Sequence, residues 1–196
     1  KSSKFFKEEE LKDFFISEVQ GTNYICQKYI SSRTKEGYPF DCRVHVQKDG
    51  EGRWTVAKNF VRIGIGQKVM SNVHQGGGIS DLVPFLKANF SDKWTDINKR
   101  INNLAYRLPY KIEEIRGIEL LTLGFDIAID EDGLLYIFEA NGAPTVKPLK
   151  AEAALLRAEY YKFVLENKVD KDKLVYIQPK KDRAEKKGFL KRYFPF

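Results

Sequence analysis

The stretch Leu123-Gly124-Phe125-Asp126-Ile127-Ala128-Ile129-Asp130-Glu131-Asp132-Gly133-Leu134-Leu135-Tyr136-Ile137-Phe138-Glu139-Ala140-Asn141 reads as a β-hairpin. Runs rich in apolar and aromatic residues flank Glu131-Asp132-Gly133, and Asp-Gly between such runs is a strong hairpin signal. With Asp132-Gly133 taken as a two-residue turn, Glu131 faces Leu134, Asp130 faces Leu135 and Asp126 faces Glu139. Residues directly opposed have Cβ atoms about 4.5–5.5 Å apart, and Asn141, two residues beyond Glu139, shares its face. Two acids and an amide thus converge on one spot. Opposed carboxylates repel, and a hard divalent cation such as Mg²⁺, held by oxygen ligands and shared with phosphates, relieves that repulsion. Solvated acids on an exposed hairpin, or a nearby Lys or Arg, account for the spacing equally well.

Upstream lies the clearest alternation in the chain. Phe40, Cys42, Val44 and Val46 interleave with Asp41, Arg43, His45 and Gln47, which predicts a strand over 40–47 with its apolar set in the core. A turn at 48–52 and a returning strand over 54–63 follow, and Lys58 and Arg62, four apart, share a face. Asp41, Arg43, His45, Lys58 and Arg62 gather cations suited to a polyphosphate or acyl phosphate. A salt-bridged sheet surface, with Arg43 paired to Asp41 or a neighbour, is the competing reading. A glycine-rich loop, Ser71-Asn72-Val73-His74-Gln75-Gly76-Gly77-Gly78, frees backbone N–H groups for an anion, but matches neither a P-loop nor a dinucleotide fingerprint.

Periodicity predicts helices over 5–19, over 79–90 with an interruption at Pro84, over 92–116 with a break near Pro109, and over 150–167. Short strands are expected over 24–30 and 174–177. The fold class is therefore α+β, an antiparallel sheet flanked by helices.

The 196 residues suffice for one domain or two small lobes, and 42% hydrophobic with 31% charged residues is ordinary globular composition. No apolar run reaches the roughly 20 residues of a membrane helix. Two cysteines make no disulfide scaffold, and Cys26 and Cys42 read as buried thiols in a reducing compartment. His45 and His74 have no third partner that would argue for zinc. The net charge of +7 is concentrated in residues 162–196, where eleven Lys or Arg stand against five Asp or Glu. This basic tail reads as a solvated terminal segment, and no nucleic-acid motif accompanies it.

In order, 24–30, Asp41-Cys42-Arg43, Ser71-Asn72…His74…Gly76-Gly77, Leu123-Gly124-Phe125-Asp126 and Phe138-Glu139-Ala140-Asn141 resemble the C-terminal part of an ATP-grasp protein. The likeness is to the YheC/YheD endospore coat-associated group and runs over about 5–150. It implies an adenine hinge at Gln27, Lys28, Tyr29 and Ile30, with the backbone of Tyr29 and Ile30 at the adenine edge. Lys28 stands where many members carry an acid. It implies Mg²⁺ between ATP phosphates at Asp126, Glu139 and Asn141, and catalytic phosphate or acyl-phosphate contacts from Arg43, Arg62 and Asn72.

The reaction implied is ATP-dependent carboxylate–amine (or thiol) ligation through an acyl phosphate, in a cytoplasmic or spore-associated protein whose partners are ATP, a carboxylate, an amine-type acceptor and spore coat proteins. A catalytically silent nucleotide-binding or structural coat-associated protein, and an anion- or nucleic-acid-binding module driven by the tail, stay as alternatives. The domain reading is an ATP-grasp-like catalytic portion at 1–167, with an N-terminal lobe outside this chain, and a basic tail at 168–196.

Overall fold

A computed structural model of the chain describes residues 6–23, 27–64, 77–144 and 150–170. Among them run α1 (Glu8–Phe14), continued by a π-helical turn (Phe15–Val19), β1 (Phe40–Lys48), β2 (Trp54–Ile63), β3 (Gly78–Asp81) and α2 (Leu82–Phe90). Then follow α3 (Trp94–Arg116), β4 (Thr122–Ile129), β5 (Leu135–Asn141) and α4 (Lys150–Asn167). The five strands make one antiparallel sheet in the order β3-β2-β1-β4-β5. The α+β expectation holds.

The apolar alternation of β1 builds the core. Phe40, Cys42, Val44 and Val46 lie on one face with Val61 of β2 and Leu123, Phe125, Ile127 and Ile129 of β4, all buried. Cys42 pairs in register with Ile127, Val44 with Phe125 and Val46 with Leu123, so each strand's inward residues meet their counterparts. Helices α2 and α3 close this face with Leu82, Phe85, Leu86, Ile97, Ile101 and Ala105. Ile101, Ala105 and Pro109 follow at helical spacing on the buried side of α3. That packing carries the helix unbroken through Pro109, although proline removes one backbone bond. Pro84 sits in the first turn of α2, where its missing N–H costs nothing. The start of the segment read as helix from 79 is instead β3, a short edge strand paired with β2.

The second face of β1 is not the open polar surface that alternation suggests. His45 and Gln47 are fully buried because α4 lies across them. Gln47 Nε2 donates to the Ala153 carbonyl at 2.9 Å, and Ala153 packs with Phe60 and Ala57. Further along, a Cβ at Gly52 would fall 2.6 Å from the Phe163 ring, so the turn needs glycine both for this contact and for its positive φ of 75°. At the same end Lys48 Nζ meets Glu113 Oε1 of α3 at 2.9 Å and lies over the rings of Trp54 and Tyr160, tying the two helical layers together.

A further expectation, the strand over 24–30, is corrected. Residues 27–30 form no strand: Gln27, Lys28 and Tyr29 are exposed, and the remainder of that predicted strand lies outside the described residues. The α1 segment forms, but its apolar side is not buried; Leu11, Phe15 and Ile16 are exposed. The predicted strand over 174–177, most of the tail and Cys26 lie outside the described residues.

Candidate functional site

The hairpin of β4 and β5 brings Asp126 directly opposite Glu139, with Asn141 opposite Gly124. The route differs from the two-residue turn. Asp130 N–H donates to Leu134 O at 3.1 Å, leaving Glu131, Asp132 and Gly133 as a three-residue loop, with Gly133 at φ 82°. Ile127, Ala128 and Ile129 therefore face Ile137, Tyr136 and Leu135, one residue off the two-residue register. A bulge that leaves Phe138 unpaired then restores the alignment, so Asp126 still meets Glu139.

On the same sheet face, β1 and β2 supply three more charges. Asp41 is in register with Arg62, and Arg43 with Asp126. Arg43 Nε lies 2.7 Å from Asp126 Oδ1 and Arg62 Nη2 3.0 Å from Asp126 Oδ2. Arg62 Nε donates to Asp41 Oδ1 at 2.7 Å, and its Nη2 donates to Asp41 Oδ2. The result is an alternating chain, Asp41–Arg62–Asp126–Arg43, across three strands. Burial pushes the Asp126 carboxyl up, while Arg62 and Arg43 pull it back. Burial alone would lower Arg62, but its bonds and charge contacts with Asp41 and Asp126 carry it upward and keep it charged. The alternative of neutralisation by nearby arginines is thus realised for Asp126, and Arg43 takes Asp126 rather than Asp41 as its partner.

Gly124 makes room for this arrangement. A Cβ there would lie 2.7 Å from Arg43 Nη1 and 2.7 Å from Pro144 Cβ. Glycine inside a strand signals such a close approach, a signal the sequence reading left unused. It also left unused the role of Asp41 as holder of Arg62.

Cys42, on the opposite face, is no nucleophile. Burial first, then the charges of Asp41 and Asp126, raise its thiol far above the usual range. His45 belongs to the covered part of the polar face. Thr122 Oγ1 donates to Val46 O at 3.2 Å and lies 3.0 Å from His45 Nε2, so the ring donates from Nε2 and its Nδ1 carries the lone pair. Nδ1 has no partner. Burial, with Arg43 and Arg157 nearby, lowers the His45 pKa to about 4, so the ring is neutral near pH 7.

Of the residues singled out for chemistry, Arg43, Arg62 and Asp126 meet in one network, with Glu139 across the hairpin. Glu139 is exposed and has no partner among the described residues, while Asn141 Oδ1 accepts the Ala143 N–H at 3.0 Å. Lys58, opposite His45, shares the face but joins none of these ion pairs. The 27–30 segment enters the fold through Ser32, whose carbonyl accepts Phe40 N–H and whose hydroxyl accepts Ile129 N–H, at the Asp41 end of the site. Asn72 and His74 lie outside the described residues. Among the described residues, no three His, Cys, Asp or Glu side chains group to hold a metal, and no helix is long and apolar enough to cross a membrane.

A family model described as YheC/D like ATP-grasp matches residues 1–170. The endospore coat-associated protein YheC of Bacillus subtilis is 28% identical over 158 residues, covering 76% of this chain and 41% of that protein. Its counterpart YheD, also an endospore coat-associated protein of Bacillus subtilis, is 26% identical over 137 residues, covering 66% and 29% respectively. The chain thus spans less than half the length of these curated relatives. Among solved structures, the C-terminal domain of K. lactis Pby1 aligns with a TM-score of 0.49 and 18% identity over 76% of this chain and 49% of that one. Pby1 is described as an ATP-grasp enzyme interacting with the mRNA decapping enzyme Dcp2.

Proposed function

The chain belongs to the YheC/D-like ATP-grasp family, and from that premise we propose that it binds ATP with Mg²⁺ and serves ATP-dependent ligation of a carboxylate to an amine or thiol. The observation that carries this reading is the single polar face on which Asp126 opposes Glu139 while Arg43 and Arg62 reach Asp126 from the neighbouring strand pair. The donor set suits the ion, because two carboxylates and an amide are the hard oxygen ligands Mg²⁺ takes. Glu139 is exposed and unpartnered among the described residues, open to an arriving ion. Asp126, Glu139 and Asn141 would hold the ion, and its chemistry there would be neutralisation of phosphate charge.

The chain's own residues do the rest. Arg43 and Arg62 are permanently charged, and their forked donors would pass from Asp126 to phosphate oxygens when ATP enters. The substrate carboxylate attacks the γ-phosphorus and ADP departs; the acceptor's lone pair then attacks the acyl carbon, phosphate leaves, and the acceptor's proton passes to the departing phosphate or to water. Positioning and charge neutralisation suffice for such transfer, so no protein nucleophile is needed. Gln27, Lys28, Tyr29 and Ile30 would line the adenine, and Asn72 would join the phosphate contacts. Residues 1–167 would form the C-terminal portion of the ATP-grasp region, with the coat association of the relatives as the cellular setting.

Calorimetric titration of Mg·ATP into the chain, alongside Glu139→Gln, tests this. The reading expects saturable binding weakened at least about tenfold by the substitution, the worth of a charged ligand to the ion. Absent binding, or equal affinities, would overturn it. One observation favours a second reading, nucleotide binding without turnover: both Asp126 oxygens are already held by arginines. Phosphate release from ATP over a panel of amino acids separates the two.

A further inference from the structure

The polar face carries a third guanidinium that no sequence motif pointed to. Arg157 of α4 stands four residues after Ala153, which is buried against β1, and three before Tyr160, which is buried beside Lys48. That spacing places all three on the packed side of the helix. Arg43 and Arg62 each hold an acid, but among the described residues Arg157 meets no acid, and its Nε is sealed from solvent with no hydrogen-bond partner there. Two acceptors on fully buried residues beneath the same helix, His45 Nδ1 and Gln47 Oε1, are also unpartnered, so neither takes up this donor. The charges of Arg157 and Arg43 both bear on His45, which α4 covers and which lies two residues along β1 from Arg43 on the same sheet face, so Arg157 is on the face that carries the charged network.

A half-buried cation with no counter-charge costs stability. Folding alone would prefer an apolar or amide side chain here, and a group retained against stability is a mark of binding sites. We propose that Arg157 anchors an oxyanion subsite, taking a carboxylate or phosphate oxygen of a ligand seated beside Arg43. In the ligase setting this makes the substrate or acceptor one that bears a second anionic group, an assignment that rests on the function proposed above.

The test uses the whole chain as wild type, Arg157→Gln and Arg157→Lys, with thermal unfolding and calorimetric titration of Mg·ATP, inorganic phosphate, glutarate and propionate, the last two with and without Mg·ADP. The proposal expects Arg157→Gln to melt no lower than wild type, to weaken glutarate about tenfold or more, and to leave propionate unaffected, with Arg157→Lys partly restoring glutarate. A loss confined to Mg·ATP or phosphate would support the subsite with phosphate as its source. A lowered melting temperature with every titration unchanged, or no anion binding by wild type, would overturn it. Arg157-dependent glutarate or phosphate binding in a chain that ignores Mg·ATP would sink the nucleotide reading and leave the subsite standing; Mg·ATP binding with all anions indifferent to Arg157 would do the reverse.

Discussion

Protonating His45 should destabilise this protein. The ring is fully buried, its neighbours Arg43 and Arg157 are cations, and its pKa falls from 6.5 to about 4. In the unfolded chain the imidazole binds a proton near pH 6.5; in the folded chain it resists until about pH 4. Between these values the unfolded state holds more protons, so stability is intact above about pH 6.5 and declines as pH falls toward 4. Full coupling gives about 2 kcal/mol by pH 5, and residual screening at a face partly open to water reduces this to about 1–2 kcal/mol. Urea unfolding followed by the fluorescence of Trp54 and Trp94, at pH 7.5 and pH 5, measures the loss. His45→Gln keeps an amide N–H that can reach Thr122 but cannot titrate, and it should lose about 1–2 kcal/mol less over the same interval. His74, the chain's other histidine, is present in both proteins and cancels. Identical pH dependence in wild type and His45→Gln would show that His45 does not couple protonation to folding.

Two further substitutions probe the charged network. Arg62→Met strips Asp41 of its bidentate partner and leaves it near Asp126, and should cost about 3 kcal/mol in chemical denaturation; adding Asp41→Asn should recover much of that, and a strictly additive double-mutant cycle would contradict the coupling. Gly124→Ala drives a methyl into Arg43 Nη1 and the Pro144 ring. It should destabilise by about 1–3 kcal/mol, and a melting temperature equal to wild type would show that the close approach is relieved without cost.

The hairpin was legible because apolar patterning and an Asp-Gly turn both act locally. Its loop length was not, since a three-residue loop and a later bulge at Phe138 together yield the same pairing of Asp126 with Glu139 as a two-residue turn. Burial of His45 and Gln47 was illegible for a different reason. Alternation reports which residues share a face, but only the docking of α4, more than a hundred residues away, determines that the polar face of β1 is covered at one end. Pro109 misled because helix propensity is weaker than the packing of Ile101 and Ala105 on the sheet. Exchange of partners within the charged set, Arg62 with Asp41 and Arg43 with Asp126, depends on strand order, which spacing along the chain does not encode. Arg157 escaped notice because a single arginine in a helix carries no motif.

The proposed function puts a divalent ion and the phosphates of ATP at the β4–β5 hairpin. Mn²⁺ can stand in for Mg²⁺ and broadens the NMR signals of nearby nuclei. Titrating Mn·ATP into the isotope-labelled chain should erase the amide signals of Gly124, Asp126, Glu139 and Asn141 first, while those of Ile97 and Ile101 on α3 persist. Broadening centred elsewhere, or none at the hairpin while ATP is bound, would contradict the account.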